Sequence, residues 1–158
     1  MIQRIQTVYM LLSVVACVVC LANPICHFSL DFIPTGDLYN LWLSVSPDAD
    51  GGEVKHQLTP WVAQFALLVV VATFTLLNIF IYDKRALQMR TLIFCMIVLV
   101  GYYLVGGIFV WRLCSEYGFS VRPTFFAALP FVSLVLDYLA LRAVRKDENL
   151  VRSLDRLR

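Results

Sequence analysis

The 158-residue sequence has little charge and no motif that identifies a reaction. Only 15% of its residues are charged and 60% are hydrophobic, whereas about a quarter of an ordinary soluble domain is charged. His27 and His56 lack a spaced set of carboxylates or cysteines, which argues against a metal site. A Gly-rich phosphate loop, a nucleophile elbow and an HExxH pair are also missing. The sequence therefore predicts a membrane protein that is not an enzyme and binds no cofactor.

Long apolar runs framed by charged residues account for most of the chain. Each approaches the ~20 residues that cross a hydrocarbon core as a helix. The runs lack the alternation of barrel strands, so helices are the expected spanning form. The predicted spans are residues 5–22, 61–82, 91–111 and 124–141. We predict a single four-helix transmembrane domain over residues 1–158, with an outer loop at 23–60 and a cytoplasmic tail at 142–158.

Lysine and arginine are distributed unequally between the two ends of this predicted bundle. With the N-terminus inside, ten of these residues fall on the cytoplasmic side and three on the outer side. The outer three are Lys55, Arg112 and Arg122. Cytoplasmic loops carry the excess of positive charge in membrane proteins. The bias predicts that both termini are cytoplasmic.

The outer loop is too long and too apolar for a simple connection. Apolar residues alternate with polar ones around Phe28 and again around Leu43, which is the period of a strand. The turn sequence PDADGG at 47–52 is suited to joining residues 41–46 to residues 53–59 as antiparallel strands. The predicted fold class is thus an all-α membrane protein, a four-helix bundle with a small extracytoplasmic β-sheet in this loop.

The tail continues the fourth span as a predicted amphipathic helix. Its apolar residues recur at three, four and seven positions, and charged residues occupy the remaining ones. The basic residues are expected either to lie on anionic lipid or to bind a protein partner. Lipid explains this charge better than nucleic acid does. The candidate surface residues are Arg145, Lys146, Arg152 and Arg156.

Both ends of the chain also carry a resemblance. The start, MIQRIQTVYMLL, and the end, RAVRKDENLVRSLDRLR, resemble a family of small four-span membrane proteins from Bacteroidetes, domain of unknown function 4293. Span number and loop sizes extend the similarity over the whole chain. The resemblance implies a location in the bacterial inner membrane and supplies no activity or catalytic residue.

Cysteines provide one candidate for chemistry. Cys17 and Cys20 form a CxxC, which a thiol-disulfide redox enzyme of the outer membrane face would use. They lie in an apolar helix without a nearby base or cation, however, which is typical of packing cysteines. A structural disulfide between Cys26 and Cys114 is the alternative, because both residues fall near the outer interface.

Asp137 is the only charged residue inside a predicted span. It lies five residues before Arg142, ~7.5 Å of helix rise from the inner boundary. One interpretation is a polar cluster of Asp137, Asn78 and Arg85 that holds helices together. The other is proton or ion coupling in a small transporter. Pro130, inside the same run, predicts a kink that frees the carbonyl near Phe126.

These features together predict a scaffold or accessory subunit that acts through its outer loop and its tail. Its expected partners are the lipid bilayer and either another protein or further copies of the chain. A redox enzyme using Cys17 and Cys20 is the first alternative, and a transporter dependent on Asp137 is the second.

Overall fold

A computed structural model describes residues 2–30, 33–41, 43–45, 56–57, 62–81, 85–117 and 120–155. Within them the predicted apolar runs form long helices and the connections contribute strands. The helices are α1 (Ile2–Ala22), α2 (Val62–Phe80), α3 (Arg85–Tyr117) and α4 (Leu129–Asp155). The strands are β1 (Cys26–Leu30), β2 (Ile33–Leu38), β3 (Leu43–Val45), β4 (His56–Gln57) and β5 (Ser120–Pro123).

All of these helices are long and apolar enough to cross a membrane. Large apolar side chains point away from the bundle, as Ile97 and Leu104 do with 65% and 64% of their surface exposed. Polar side chains such as Ser13, Thr75 and Ser133 are fully buried. An apolar exterior around a partly polar interior is the arrangement that a lipid environment favours. The chain is therefore a multi-pass membrane protein.

Buried residues recur along each helix in alternating steps of four and three. In α2 they are Gln64, Leu68, Val71, Thr75 and Asn78. The same spacing runs through the other three helices. A repeat of 3.5 residues is typical of helices that pack side by side at about 20° in a left-handed bundle. Accordingly α1 packs against α2 and α4, and α3 packs against the same two helices.

The strands form one antiparallel sheet in the order β4-β3-β2-β1-β5. The pairing of β3 with β4 joins Leu43 to Gln57, which agrees with the predicted antiparallel pairing of residues 41–46 with residues 53–59 over the described residues 43–45 and 56–57. The turn sequence at 47–52 lies outside the described residues. We call the end of the bundle that carries the sheet the sheet end, and the opposite end, where α1 begins and α4 ends, the tail end.

β5 was not predicted. It joins the connection between α3 and α4 to the connection between α1 and α2. It comes from the segment between α3 and α4 and pairs with β1, so that Cys26 lies opposite Pro123. A backbone bond of 2.8 Å from Thr124 to the carbonyl of Ile25 extends the pairing. Phe28 and Leu38 are buried beneath the strands with Ile25 and Cys26. Both connections at this end are thereby held in a single unit.

The kink predicted at Pro130 is wrong. A short 3-10 helix over Phe125–Ala128 precedes α4, and Pro130 is the second residue of α4. A proline in the first turn removes an amide that has no helical partner, so the helix is not broken there. The carbonyl of Phe126 accepts the backbone amide of Leu129.

The predicted tail helix is continuous with the fourth span. α4 runs through to Asp155, with Val144 and Asp147 turned inward and Arg145 and Lys146 exposed. Val144 and Asp147 therefore continue the inward face of α4 beyond Arg142, whereas Leu150 is exposed. The side chains after Leu150 lie outside the described residues.

Candidate functional site

Polar side chains are buried along the whole length of the bundle. They come from every helix and from the connection after β2. These buried residues are Gln6, Ser13, Asn40, Gln64, Thr75, Asn78, Gln88, Ser133, Asp137 and Asp147. Because buried polar groups in a membrane cost free energy unless they are bonded, their partners indicate which are structural and which are available for function.

At the tail end the buried polar groups bond to one another. Gln6 of α1 donates from Nε2 to Oδ2 of Asp147 on α4 over 2.7 Å. Asn78 donates to the backbone carbonyl of Gln88 over 3.2 Å, and Gln88 donates to that of Asn78 over 3.4 Å. The first pair joins the two ends of the chain, and the second joins α2 to α3 across their short connection.

Asp137 differs from these pairs because its carboxyl group is orphaned. The residue is 0% exposed, and among the described residues neither carboxyl oxygen has a hydrogen-bond partner with good geometry. The hydroxyl of Ser13 faces the carboxyl group, and the thiols of Cys17 and Cys95 are close enough to interact with it electrostatically. An acid without a partner inside a membrane protein is a candidate functional group.

The neighbours of Asp137 place it beside α1. Ser13, which faces the carboxyl group, is eight residues beyond Ile5, where the candidate span of α1 begins, a rise of ~12 Å. The depth of Asp137 relative to the inner boundary at Arg142 stays a prediction.

The predicted cluster of Asp137, Asn78 and Arg85 is not joined by hydrogen bonds. Asn78 bonds to Gln88. Within the described ranges, Oδ1 of Asn78 and the buried Nη1 of Arg85 have no hydrogen-bond partner. The 3.5-residue repeat explains the difference, because it turns Asp137 toward α1 and Asn78 toward the start of α3.

Hydroxyl and thiol groups continue the polar series from Asp137 toward the sheet end. Ser13 and Ser133 bond through their hydroxyls at 2.5 Å, and Ser133 also contacts the thiol of Cys17 at 3.3 Å. On the other side, Thr75 donates to the thiol of Cys95 over 3.6 Å. These contacts surround Asp137 with weakly polar groups and no described cation.

Asn40 connects the sheet to the helices. Its Nδ2 donates to the backbone carbonyl of Cys20 in the last turn of α1, over 2.8 Å. Its Oδ1 accepts the hydroxyl of Tyr102 from α3, over 2.9 Å. One fully buried side chain thus caps α1 and fixes the sheet to α3.

The predicted redox pair is enclosed by the bundle. Cys17 and Cys20 are both 0% exposed, with Ser133 and Tyr102 as neighbours. Neither thiol is accessible to a partner from outside. A thiol that exchanges with another protein has to be reached by it, so this geometry does not favour the redox interpretation.

Cys26 and Cys114 are free thiols near one another at the sheet end. Burial in β1 raises the pKa of Cys26 to about 11, and the neighbouring Cys114 adds to the rise. The disulfide between them stays a prediction.

Among the described residues, no group of His, Cys, Asp and Glu is arranged to hold a metal ion.

A pocket of about 350 Å³ lies between α3 and the sheet. Its walls include Ile25, Tyr103 and Val110, and Gln64 and Tyr102 supply polar groups. Oε1 of Gln64 is buried and has no hydrogen-bond partner in the part of the chain that the structure describes. A shallower groove adjoins it along the start of α4, and the two share Tyr103, Pro123 and Ala127. This site was not predicted from the sequence.

The predicted tail residues are placed only in part. Arg145 and Lys146 are exposed, as is Arg142 on the same side of α4. Arg152 lies within α4, but its side chain is outside the described residues, and so is Arg156. His27 and Asp37, opposite each other on β1 and β2, form an exposed pair that the sequence analysis did not identify.

Most of the buried polar residues were also missed, although the sequence carries a signal for them. Gln6, Ser13 and Cys20 repeat every seven residues in α1, which keeps them on one face of a helix. Reading the 3.5-residue repeat rather than the overall apolar character would have identified this inward face.

Comparison with known proteins agrees with the resemblance noted at the two ends of the chain. No curated protein matches it. The family model described as "Domain of unknown function (DUF4293)" matches residues 2–157, nearly the entire sequence. With its apolar helices and its antiparallel sheet, the chain belongs to the DUF4293 family.

Proposed function

We propose that this protein is a non-catalytic scaffold or accessory subunit of the bacterial inner membrane. The supporting observation is that two solvent-facing parts are fixed to one bundle. Asn40 holds the sheet to α1 and α3, and the Gln6–Asp147 bond holds the tail to α1. A protein that holds two binding surfaces at a fixed distance and orientation is suited to linking partners across a membrane.

The orientation proposed for it puts the sheet outside and both termini in the cytoplasm. It rests on the ten lysine and arginine residues assigned to the tail end against three at the sheet end. Arg112 and Arg122, both exposed, belong to the sheet-end three.

The cytoplasmic surface that we propose for partner binding is the tail face, defined as Arg142, Arg145 and Lys146. These residues are exposed and spaced by three and four positions, so they share one side of α4. The opposite side is occupied, since Val144 and Asp147 are 1% and 8% exposed. A basic surface on a fixed helix complements an acidic segment of a protein partner.

Affinity purification in mild detergent from the native host tests this proposal. Cutting the chain after Arg142 is unsuitable, because it would also remove the buried Val144 and Asp147. The variant Arg145→Glu with Lys146→Glu reverses the tail face and leaves the packing untouched. Arg112→Glu with Arg122→Glu is the matched control at the sheet end.

A partner recovered at fixed stoichiometry, lost from the tail-face variant and kept by the control, is the expected result. If the wild-type chain is recovered without a stoichiometric protein partner or a second copy of itself, the scaffold role is wrong.

Proton-coupled transport is the second candidate, favoured by the orphaned carboxyl group of Asp137. Proteoliposomes containing a pH-sensitive dye would measure it. Transport predicts proton flux that Asp137→Asn abolishes and that Arg145→Glu leaves unchanged. Absence of flux above protein-free vesicles would eliminate this candidate.

The redox alternative predicts loss of function in Cys17→Ser and Cys20→Ser, whereas the scaffold proposal predicts that both variants keep their partners.

A further inference from the structure

We propose that the pocket between α3 and the sheet binds an uncharged membrane amphiphile, with a hydroxyl-bearing head in the pocket and a hydrocarbon or isoprenoid chain along the adjoining groove. This site is independent of the tail face and of Asp137.

The pocket offers a specific hydrogen-bond acceptor. Gln64 is 4% exposed and lines the cavity, and its Oε1 has no partner among the residues that the structure describes. The same amide lies within hydrogen-bonding reach of Tyr102, whose hydroxyl is already donated to Asn40. The side chain is therefore held in place with its oxygen unused. A buried acceptor left unbonded is unfavourable, and a bond from a ligand hydroxyl would remove that cost.

Gly106 allows the Gln64 amide to occupy this position. A Cβ at residue 106 would lie 2.6 Å from Nε2 of Gln64. That atom is the far end of a flexible side chain, so alanine would displace the amide rather than the helix. Gly101, one and a half turns earlier in α3, has nothing within 4 Å of its Cβ position. The two glycines provide a matched pair for experiment.

The groove beside the pocket is suited to the hydrocarbon chain of the ligand. It is lined by Phe125 and Phe131, which are 80% and 59% exposed. The two cavities share Tyr103, Pro123 and Ala127, so the groove lies directly beside the pocket. Within the described part of the chain, the Oγ1 of Thr124 in the groove is a second buried polar atom without a partner. An amphiphile with its head in the pocket would lay its hydrocarbon chain along this groove.

The charge of the lining determines the class of head. No lysine, arginine, histidine or acidic residue is among the described residues that line the pocket or the groove. A phosphate head group is bound by charged or strongly polarised donors, so a phospholipid head is disfavoured. An uncharged head that donates a hydrogen bond matches Gln64. A volume of about 350 Å³ is at the small end of ligand pockets and suits a single ring or a glycerol unit.

Binding is measured by titration under anaerobic conditions, with the protein in phosphatidylcholine nanodiscs. The probes are a naphthoquinol with a short isoprenoid chain, its oxidised quinone, and dioctanoylglycerol. The quinol and the glyceride carry the hydroxyl donor from two different sources, and the quinone lacks it. The variants are Gly106→Ala, Gln64→Leu and the control Gly101→Ala, each checked for a monodisperse profile and unchanged helix content.

At least one hydroxyl-bearing probe is expected to bind the wild type. The probe that binds shows whether the natural ligand is a quinol or a glyceride. Its affinity should fall about tenfold or more in Gly106→Ala and in Gln64→Leu, the loss of roughly one hydrogen bond. Gly101→Ala should bind like the wild type, and the quinone should bind about tenfold more weakly than the quinol. The proposal is overturned if neither hydroxyl-bearing probe binds, or if Gln64→Leu binds the probe as tightly as the wild type does.

Discussion

Gln6 and Asp147 are 141 positions apart in the sequence and are joined by a buried hydrogen bond of 2.7 Å. The bond connects the first turns of α1 to the part of α4 that continues into the tail. It fixes where the tail begins relative to the bundle, and so decides which charged residues remain exposed for a partner.

Removing one member of this pair should destabilise the protein. Gln6→Leu leaves the buried Asp147 carboxylate without its donor, and we expect a loss of about 1–3 kcal/mol in the free energy of unfolding. Arg145→Ala, at an exposed position two residues away, should change it by less than about 0.5 kcal/mol. Thermal unfolding in detergent measures both.

The double variant Gln6→Leu with Asp147→Leu should recover much of that loss, because replacing both partners by apolar groups leaves no buried charge unpaired. Additive losses in the double variant would show that the two side chains are not coupled.

Replacing Asp137 should stabilise the protein, whereas replacing Gln6 destabilises it. Because both its carboxyl oxygens lack well-aligned partners among the described residues, Asp137→Leu is expected to increase the free energy of unfolding by about 1–3 kcal/mol. Ser133→Ala is the comparison, since it removes a hydroxyl bonded to Ser13 and should cost about 1 kcal/mol. A destabilised Asp137→Leu would mean that the carboxyl group has a partner that holds the helices together.

Asn40 and Asn23 allow the connection between sheet and bundle to be measured. Each donates to a backbone carbonyl in the last turns of α1 over 2.8 Å, but Asn40 is buried and also accepts Tyr102, whereas the Asn23 bond is exposed. Asn40→Ala should therefore lower the free energy of unfolding by about 1–3 kcal/mol more than Asn23→Ala does. Equal effects would argue that the sheet is not fixed to α3 through this residue.

The alkylation of Cys26 should depend strongly on pH. Burial raises its pKa to about 11, so only about a thousandth of it is thiolate at pH 8. Because the thiolate is the reactive form, the rate of labelling by iodoacetamide should increase about tenfold per pH unit from 8 to 10. Quantifying the labelled peptide by mass spectrometry checks this.

A rate for Cys26 that levels off below pH 9 would contradict the raised pKa. If neither Cys26 nor Cys114 is labelled until a reductant is added, the two form the disulfide that the sequence predicted, and the free-thiol description is wrong.

Much of the architecture follows from local properties of the chain. The low charge and the length of the apolar runs determined the transmembrane helices, because a backbone in lipid has to satisfy its own hydrogen bonds. The period-two pattern near Leu43 likewise indicated a strand from local properties, and β3 does pair antiparallel with β4. The two ends of the chain were sufficient to indicate the family.

The tertiary structure decided which residues meet. Pairing β5 with β1 brings together segments about ninety residues apart, and neither strand's pattern specifies its partner. Asp137 and Asn78 looked equivalent as polar residues at the inner ends of spans, yet helix rotation turned them toward different neighbours. The pocket at Gln64 depends on the absence of a side chain at Gly106 across a helix interface. Such contacts depend on distance and orientation in space, whereas the sequence by itself determined only the properties that each segment carries alone.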